Sequence, residues 1–147
     1  VPYTPEQLAD RQDVLDAVVS YALALDSHDW DRLRQILLPE AVAEYGMALG
    51  AREGRDAIVA TCTAALTPLS GSQHLMGNHL VTLDGDRAEA VCYFQATHVK
   101  AGCPGGDNYI IAGRYDDRLV RTPAGWRIAH KTLTVVWTDG NAAVVGG

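Results

Sequence analysis

The sequence predicts an α+β domain, with helices in the first half packed on one face of a mostly antiparallel sheet built by the second half. Three observations predict it. Apolar residues recur at helical spacing over residues 5–66 and alternate over 73–137. Asp84-Gly85-Asp86 and Thr122-Pro123-Ala124-Gly125 each separate two alternating runs, which marks two hairpins. The chain has 147 residues, a length that suits one domain, 1–147, with a core of its own.

The first helix opens at Thr4-Pro5-Glu6-Gln7, with Thr as N-cap, Pro at the first helical position and Gln at the third. Leu8, Leu15, Val19 and Ala22 then form a stripe, and the next position on it is Asp26, so spacing aims a carboxylate inward. Asp29 caps a second, short helix carrying Trp30, Leu33, Ile36 and Leu37, which Pro39 stops. Residues 41–47 read as a strand, with Tyr45 in its middle on the face of Ala41 and Ala43. Arg55 to Leu66 reads as a third helix, closed by Pro68 and the Ser70-Gly71-Ser72 loop.

Four strands follow: Gln73 to Leu83, Arg87 to Lys100, Tyr109 to Val120, and Trp126 to Trp137. The glycine-rich stretch from Ala101 to Asn108 joins the two pairs. A bent sheet folded over helices leaves a pocket between them.

Composition removes several function classes. Hydrophobic residues are 48% and charged residues 20%, which excludes a disordered chain. The formal charge is −6 and no Lys/Arg run occurs, which argues against nucleic acid and anionic membrane surfaces as partners. No apolar run is long enough to span a bilayer, and VPYTPEQLADRQD lacks the basic and apolar regions of a signal peptide. Cys62, Cys92 and Cys103 are odd in number and form no CxxC, as in a reducing, cytoplasmic setting.

Strand parity narrows the candidate site. Ala88, Ala90, Cys92, Phe94, Ala96 and His98 share one apolar face. His74, Met76, Asn78, Leu80 and Thr82 share a face of the preceding strand. If paired residues sum to 170, His74 lies opposite Ala96, one diagonal step from His98, and this register needs a three-residue loop or a bulge at Asp84 to Asp86. A two-residue turn at Asp84-Gly85 separates the histidines instead.

Asp26, His74 and His98 therefore have reason to point inward. An interior Asp beside an interior His satisfies both, fixes the ring tautomer and leaves one ring nitrogen as a general base. The alternative is that Asp26 caps the Ser27-His28-Asp29 turn and His74 is a core histidine. Tyr45 could donate a phenolic proton into the pocket or simply pack in the core. His28, His79 and His130 look peripheral. No HxH or HxxxH spacing supports a metal, and phosphate loops and serine nucleophile elbows are absent.

At these residues the chain resembles a family. Tyr21 to Tyr45, above all Asp26-Ser27-His28-Asp29-Trp30-Asp31-Arg32-Leu33, resembles the first helices and strand of the scytalone dehydratase group of the SnoaL-like, NTF2-like superfamily. Ser72-Gln73-His74-Leu75-Met76-Gly77 resembles that group's segment with the catalytic histidine. Tyr93-Phe94-Gln95-Ala96-Thr97-His98 falls where it has a second one, and Gly125-Trp126-Arg127-Ile128-Ala129 resembles its final-strand signature.

The resemblance implies an NTF2-like cone, in which helices pack inside a strongly bent sheet that encloses a pocket. It implies Asp26 and His74 as a catalytic dyad, His98 as a second proton donor or acceptor, and Tyr45 as polariser of a substrate carbonyl. The activity implied is a cofactor-free, metal-free lyase of the dehydratase type acting on a small cyclic or polyketide-like molecule. The similar lindane dehydrochlorinase uses the same dyad to eliminate HCl. A polyketide cyclase, a ketosteroid-type isomerase and a non-catalytic ligand-binding protein are the alternatives within the superfamily. A homo-oligomer is implied as well, a trimer before a dimer. The chain departs from the dehydratase pattern at Leu25, where that group has a tyrosine, and near Ile111 and Gly113, where it has Ser and Asn.

Overall fold

Helix α1 (Pro5–Ser27) begins with the predicted capping box, since the Thr4 hydroxyl accepts from the Gln7 N–H and the Gln7 side chain accepts from the Thr4 N–H. The structure is a computed structural model and describes residues 2–46 and 49–146. Asp29 caps α2 (Trp30–Ile36) by accepting from the Arg32 N–H, and α3 spans Arg55–Leu66 as predicted. Among the described residues there are six strands, β1 (Leu37–Glu44), β2 (Ala51–Glu53), β3 (Gly71–Asp84), β4 (Arg87–Val99), β5 (Asn108–Thr122) and β6 (Gly125–Gly140). They form one sheet in the order β2-β1-β6-β5-β4-β3, antiparallel throughout except for the parallel β1–β6 pair. The sheet wraps α1, which packs mainly on β3 and α2 and also on β6.

Several elements differ from the sequence reading. The first strand starts at Leu37, so Pro39 lies inside β1 rather than stopping α2. It sits where the β1–β6 register shifts, a place where its missing N–H interrupts no ladder. Tyr45 lies just past the end of β1 rather than mid-strand, and Met47 of the expected 41–47 strand is outside the described residues. Strand β2 and a short 3₁₀ helix (Ala142–Val145) were not expected.

On α1, Leu8 and Val19 are exposed while Leu15 is partly buried and Ala22 buried, and the core stripe is Val14, Val18, Tyr21 and Leu25, one residue round the helix from the expected one. Both sets have helical spacing, and the second is the one that lies in the core. Asp26 lies at the edge of this stripe.

The β3–β4 hairpin settles the open register. Asp84 pairs with Arg87, so the turn has two residues, Gly85 and Asp86. From Leu80 to Asp84 paired numbers sum to 171, and a register shift between Gly77 and Leu80 brings the rest to 170, with His74 opposite Ala96. The bulge therefore exists, but at Asn78 rather than at the turn, and Asn78 adopts the left-handed φ of 55° there. It also swaps faces. Met76 and His74 share the inner side with Val81 and Leu83, and Asn78, Leu80 and Thr82 are exposed instead. The inner stripe of β4, Ala88 to His98, is buried as predicted.

Candidate active site

Asp26 stands on the last turn of α1, facing the start of β3. Its Oδ1 accepts from the Ser72 hydroxyl at 2.9 Å and from His74 Nδ1 at 2.7 Å, while its Oδ2 accepts the His74 backbone N–H at 2.7 Å. The inward-facing alternative holds: the turn after α1 is capped without Asp26, by His28 in a left-handed conformation and by Asp29. The His74 side chain is only 6% exposed and that of Asp26 23%. Burial pushes the Asp26 carboxyl up, but its bonds from the His74 ring, the His74 backbone and Ser72 outweigh this and hold it below its ordinary value. An ionised carboxylate only accepts, so His74 donates from Nδ1, and its neutral form then leaves Nε2 with a free lone pair.

His98 ends the inner stripe of β4, and its ring centre is 6.0 Å from that of His74, the planes at 78°. Its Nδ1 lies 3.2 Å from the Tyr109 carbonyl, which also only accepts, so neutral His98 too presents an unprotonated Nε2. Burial lowers the pKa of His98 and favours that neutral form.

Tyr45 is buried, with its hydroxyl 3.0 Å from the Tyr21 hydroxyl and 3.4 Å from Cys62 Sγ. It lines a cavity of about 230 Å³ together with Tyr21, Leu25, Cys62, His98 and Ile111. The three peripheral histidines stay out: His28 stacks on Trp30, His130 meets Glu44, and His79 lies at the β3 bulge. Among the described residues, no group of three or more His, Cys, Asp and Glu side chains is placed to hold a metal ion.

The structure thus brings Asp26 to His74 and sets His98 beside them, and His98 with Tyr45 lines a cavity whose lining does not include Asp26 or His74. Ser72 and Tyr21 are contributions that the sequence reading passed over. Ser72 has the parity of His74, two residues apart on one strand, and that signal was available. The apolar spacing of Tyr21 with Val14, Val18 and Leu25 was likewise present.

Residues 6–132 match the SnoaL-like domain family. The chain belongs to that family. An uncharacterized protein of Mycobacterium tuberculosis is 32% identical to this SnoaL-like chain over 130 residues, covering 87% of this chain and 86% of that one. The terrestric acid biosynthesis cluster protein E of Penicillium crustosum is 28% identical over 151 residues, covering 99% and 95%. Among solved structures, the Kfla4162 protein of Kribbella flavida superposes with a TM-score of 0.87 at 26% identity, covering 96% of this chain and 99% of that one. The hexachlorocyclohexane dehydrochlorinase LinA Type2 superposes at 0.82 with 17% identity, covering 92% and 91%, a likeness of fold. The fold of this SnoaL-like chain is the NTF2-like one, related to structures described as cystatin-like.

Proposed function

We propose that the protein is a cofactor-free lyase of the dehydratase type, in which His74 and Asp26 act as a general-base dyad on a small cyclic β-hydroxy ketone. The observation that carries this reading is the 2.7 Å bond from His74 Nδ1 to a carboxylate held ionised by three donors, because it leaves His74 Nε2 as the base. In the proposed reaction Nε2 removes the proton α to the carbonyl. Charge grows on the carbonyl oxygen and is met by the Tyr45 hydroxyl. Asp26 stabilises the imidazolium that forms. The imidazolium then returns its proton to the departing β-hydroxyl, so the elements of one water leave and a C=C bond forms.

Of the two roles that the family resemblance implies for His98, the Tyr109 bond favours acceptor over donor. Neutral His98 orients the leaving hydroxyl by accepting its hydrogen bond. The cavity lining of Leu25, Leu66, Ile111 and Leu133 suits an apolar ring. Similarity to a biosynthesis cluster protein supports a biosynthetic small molecule as substrate.

A second reading, an isomerase, is favoured by one observation: both histidines present bases and neither holds a ready acid. Incubation with a panel of small cyclic β-hydroxy ketones, read by mass spectrometry and enone absorbance, tests the choice. Loss of one water is expected. Rearrangement without loss of water transfers the assignment to the isomerase, and recovery of every ketone unchanged contradicts both.

A further inference from the structure

Tyr21 takes no part in the reaction just described, yet it stands behind the group that does. Its side chain is 2% exposed and lines the same cavity as Tyr45 and His98. Its oxygen is 3.0 Å from the Tyr45 oxygen and 3.9 Å from Cys62 Sγ. A phenol has one proton to give, and leaving it unpaired in the interior is costly. Of these two neighbours the Tyr45 oxygen is the strong acceptor and the sulfur the weak one.

Two further features act on this pair. Burial pushes the ionisation of both phenols well above the ordinary value, so both stay protonated and remain donors. The Lys131 ammonium lies 4.2 Å from the centre of the Tyr21 ring and 3.9 Å from that of Tyr115, anchored by Asp117 at 2.9 Å. A cation on the face of the ring draws electron density from it and strengthens its hydroxyl as a donor.

We propose that Tyr21 is a positioning residue for Tyr45: it donates its hydroxyl proton to the Tyr45 oxygen and thereby directs the Tyr45 proton to the substrate oxygen. The relay runs from Tyr21 to Tyr45 to the carbonyl oxygen, and each bond polarises the next as negative charge develops there. This inference rests on the lyase reading, which gives Tyr45 its oxyanion.

The probe is 4-nitrophenol, whose phenolate imitates the charged oxygen and whose absorbance reports its ionisation. The uncharged companion probe is 4-nitroanisole. Wild-type protein should bind the phenolate in preference to the anisole. Tyr45→Phe should weaken phenolate binding about 10–100-fold, in line with loss of one hydrogen bond to a charged oxygen. Tyr21→Phe, which keeps the ring and its packing, should weaken it about 3–10-fold and leave anisole binding unchanged. The double variant should bind phenolate no more weakly than Tyr45→Phe, because the Tyr21 effect passes through Tyr45. If Tyr21→Phe alters both probes equally, or neither, its role is packing and the inference is overturned while the lyase reading stands. If wild-type protein has no preference for the phenolate, the oxyanion role of Tyr45 and the lyase reading fall with it.

Discussion

Asp26 makes three hydrogen bonds with two oxygens, and each bond comes from the first residues of β3. This concentration on one side chain explains why the pair was legible in the sequence and its support was not. The pairing of His74 with Ala96 was read correctly, while Asp26 reaches β3 from the edge of a buried stripe one residue round from the expected one, and Ser72 was assigned to a loop because β3 begins at Gly71, earlier than alternation indicates. The same local chemistry predicts acid sensitivity. Folding holds Asp26 below its ordinary 3.8 and His98 below its ordinary 6.5. In both cases the unfolded chain takes up the proton first, so stability rises with pH through each window. The His98 contribution is complete above pH 6.5 and declines as pH falls from there toward the lower folded value, and the Asp26 contribution declines below 3.8. Urea midpoints measured across this range should fall on acidification, and His98→Gln should flatten the upper part of the slope. A midpoint that is level from pH 6.5 downward, with no change in the variant, contradicts the burial of neutral His98.

The element that carries His74 is β3, and it holds a bulge. Residues 80–84 obey one register and 71–77 another, and Asn78 absorbs the difference. The hairpin, its turn residues and the inner face of β4 were legible because Gly, Asp and the small apolar residues announce them. The bulge was not, since a one-residue shift leaves the hydrophobic pattern plausible on either side of it. A left-handed φ of 55° tolerates Asn and Gly and penalises a β-branched side chain. Asn78→Gly should therefore be close to neutral in a urea titration, and Asn78→Val should cost about 1–3 kcal/mol. Deletion of residue 78 should remove the bulge without moving the site. One register, with His79 opposite Cys92, then runs through the whole hairpin and keeps His74 opposite Ala96 on the inner face, so the Asp26 contact and any activity that needs it should survive. A deletion variant that folds but loses both would contradict this register.

For the molecule as a whole, the notable feature is a buried ion pair in a largely apolar interior. Asp117 and Lys131 are register partners on β5 and β6, with side chains 0% and 2% exposed and 2.9 Å apart. Burial pushes the Asp117 carboxyl up, and Lys131 pulls it back. The sequence conceals the pair because nothing in the doublets Asp116-Asp117 and His130-Lys131 marks which member the sheet turns inward, and Asp117 and Lys131 are the buried ones. Breaking such a pair strands a buried charge, so Lys131→Met should lower the free energy of unfolding by about 3–5 kcal/mol. Replacing both partners, as Lys131→Met with Asp117→Leu, should recover most of that loss. A Lys131→Met variant with wild-type stability would show that Asp117 is relieved by another group. The ends of the architecture were read well from sequence, helices first and hairpins after. The parallel β1–β6 pairing that joins those halves was not, because strands distant in sequence carry no local signal of their partners.

The central claim is that Asp26 and His74 act as one base. The most direct test is kcat for the wild type, Asp26→Asn, His74→Ala and the double variant on a β-hydroxy ketone that the wild type dehydrates. A positioned base is worth about 10²–10⁴-fold, so each single substitution should lower kcat by that amount. The double variant should be little worse than either, since residues that work as a unit do not add. Wild-type kcat in both single variants, with the fold intact, would contradict the account and reduce the Asp26–His74 bond to a structural contact.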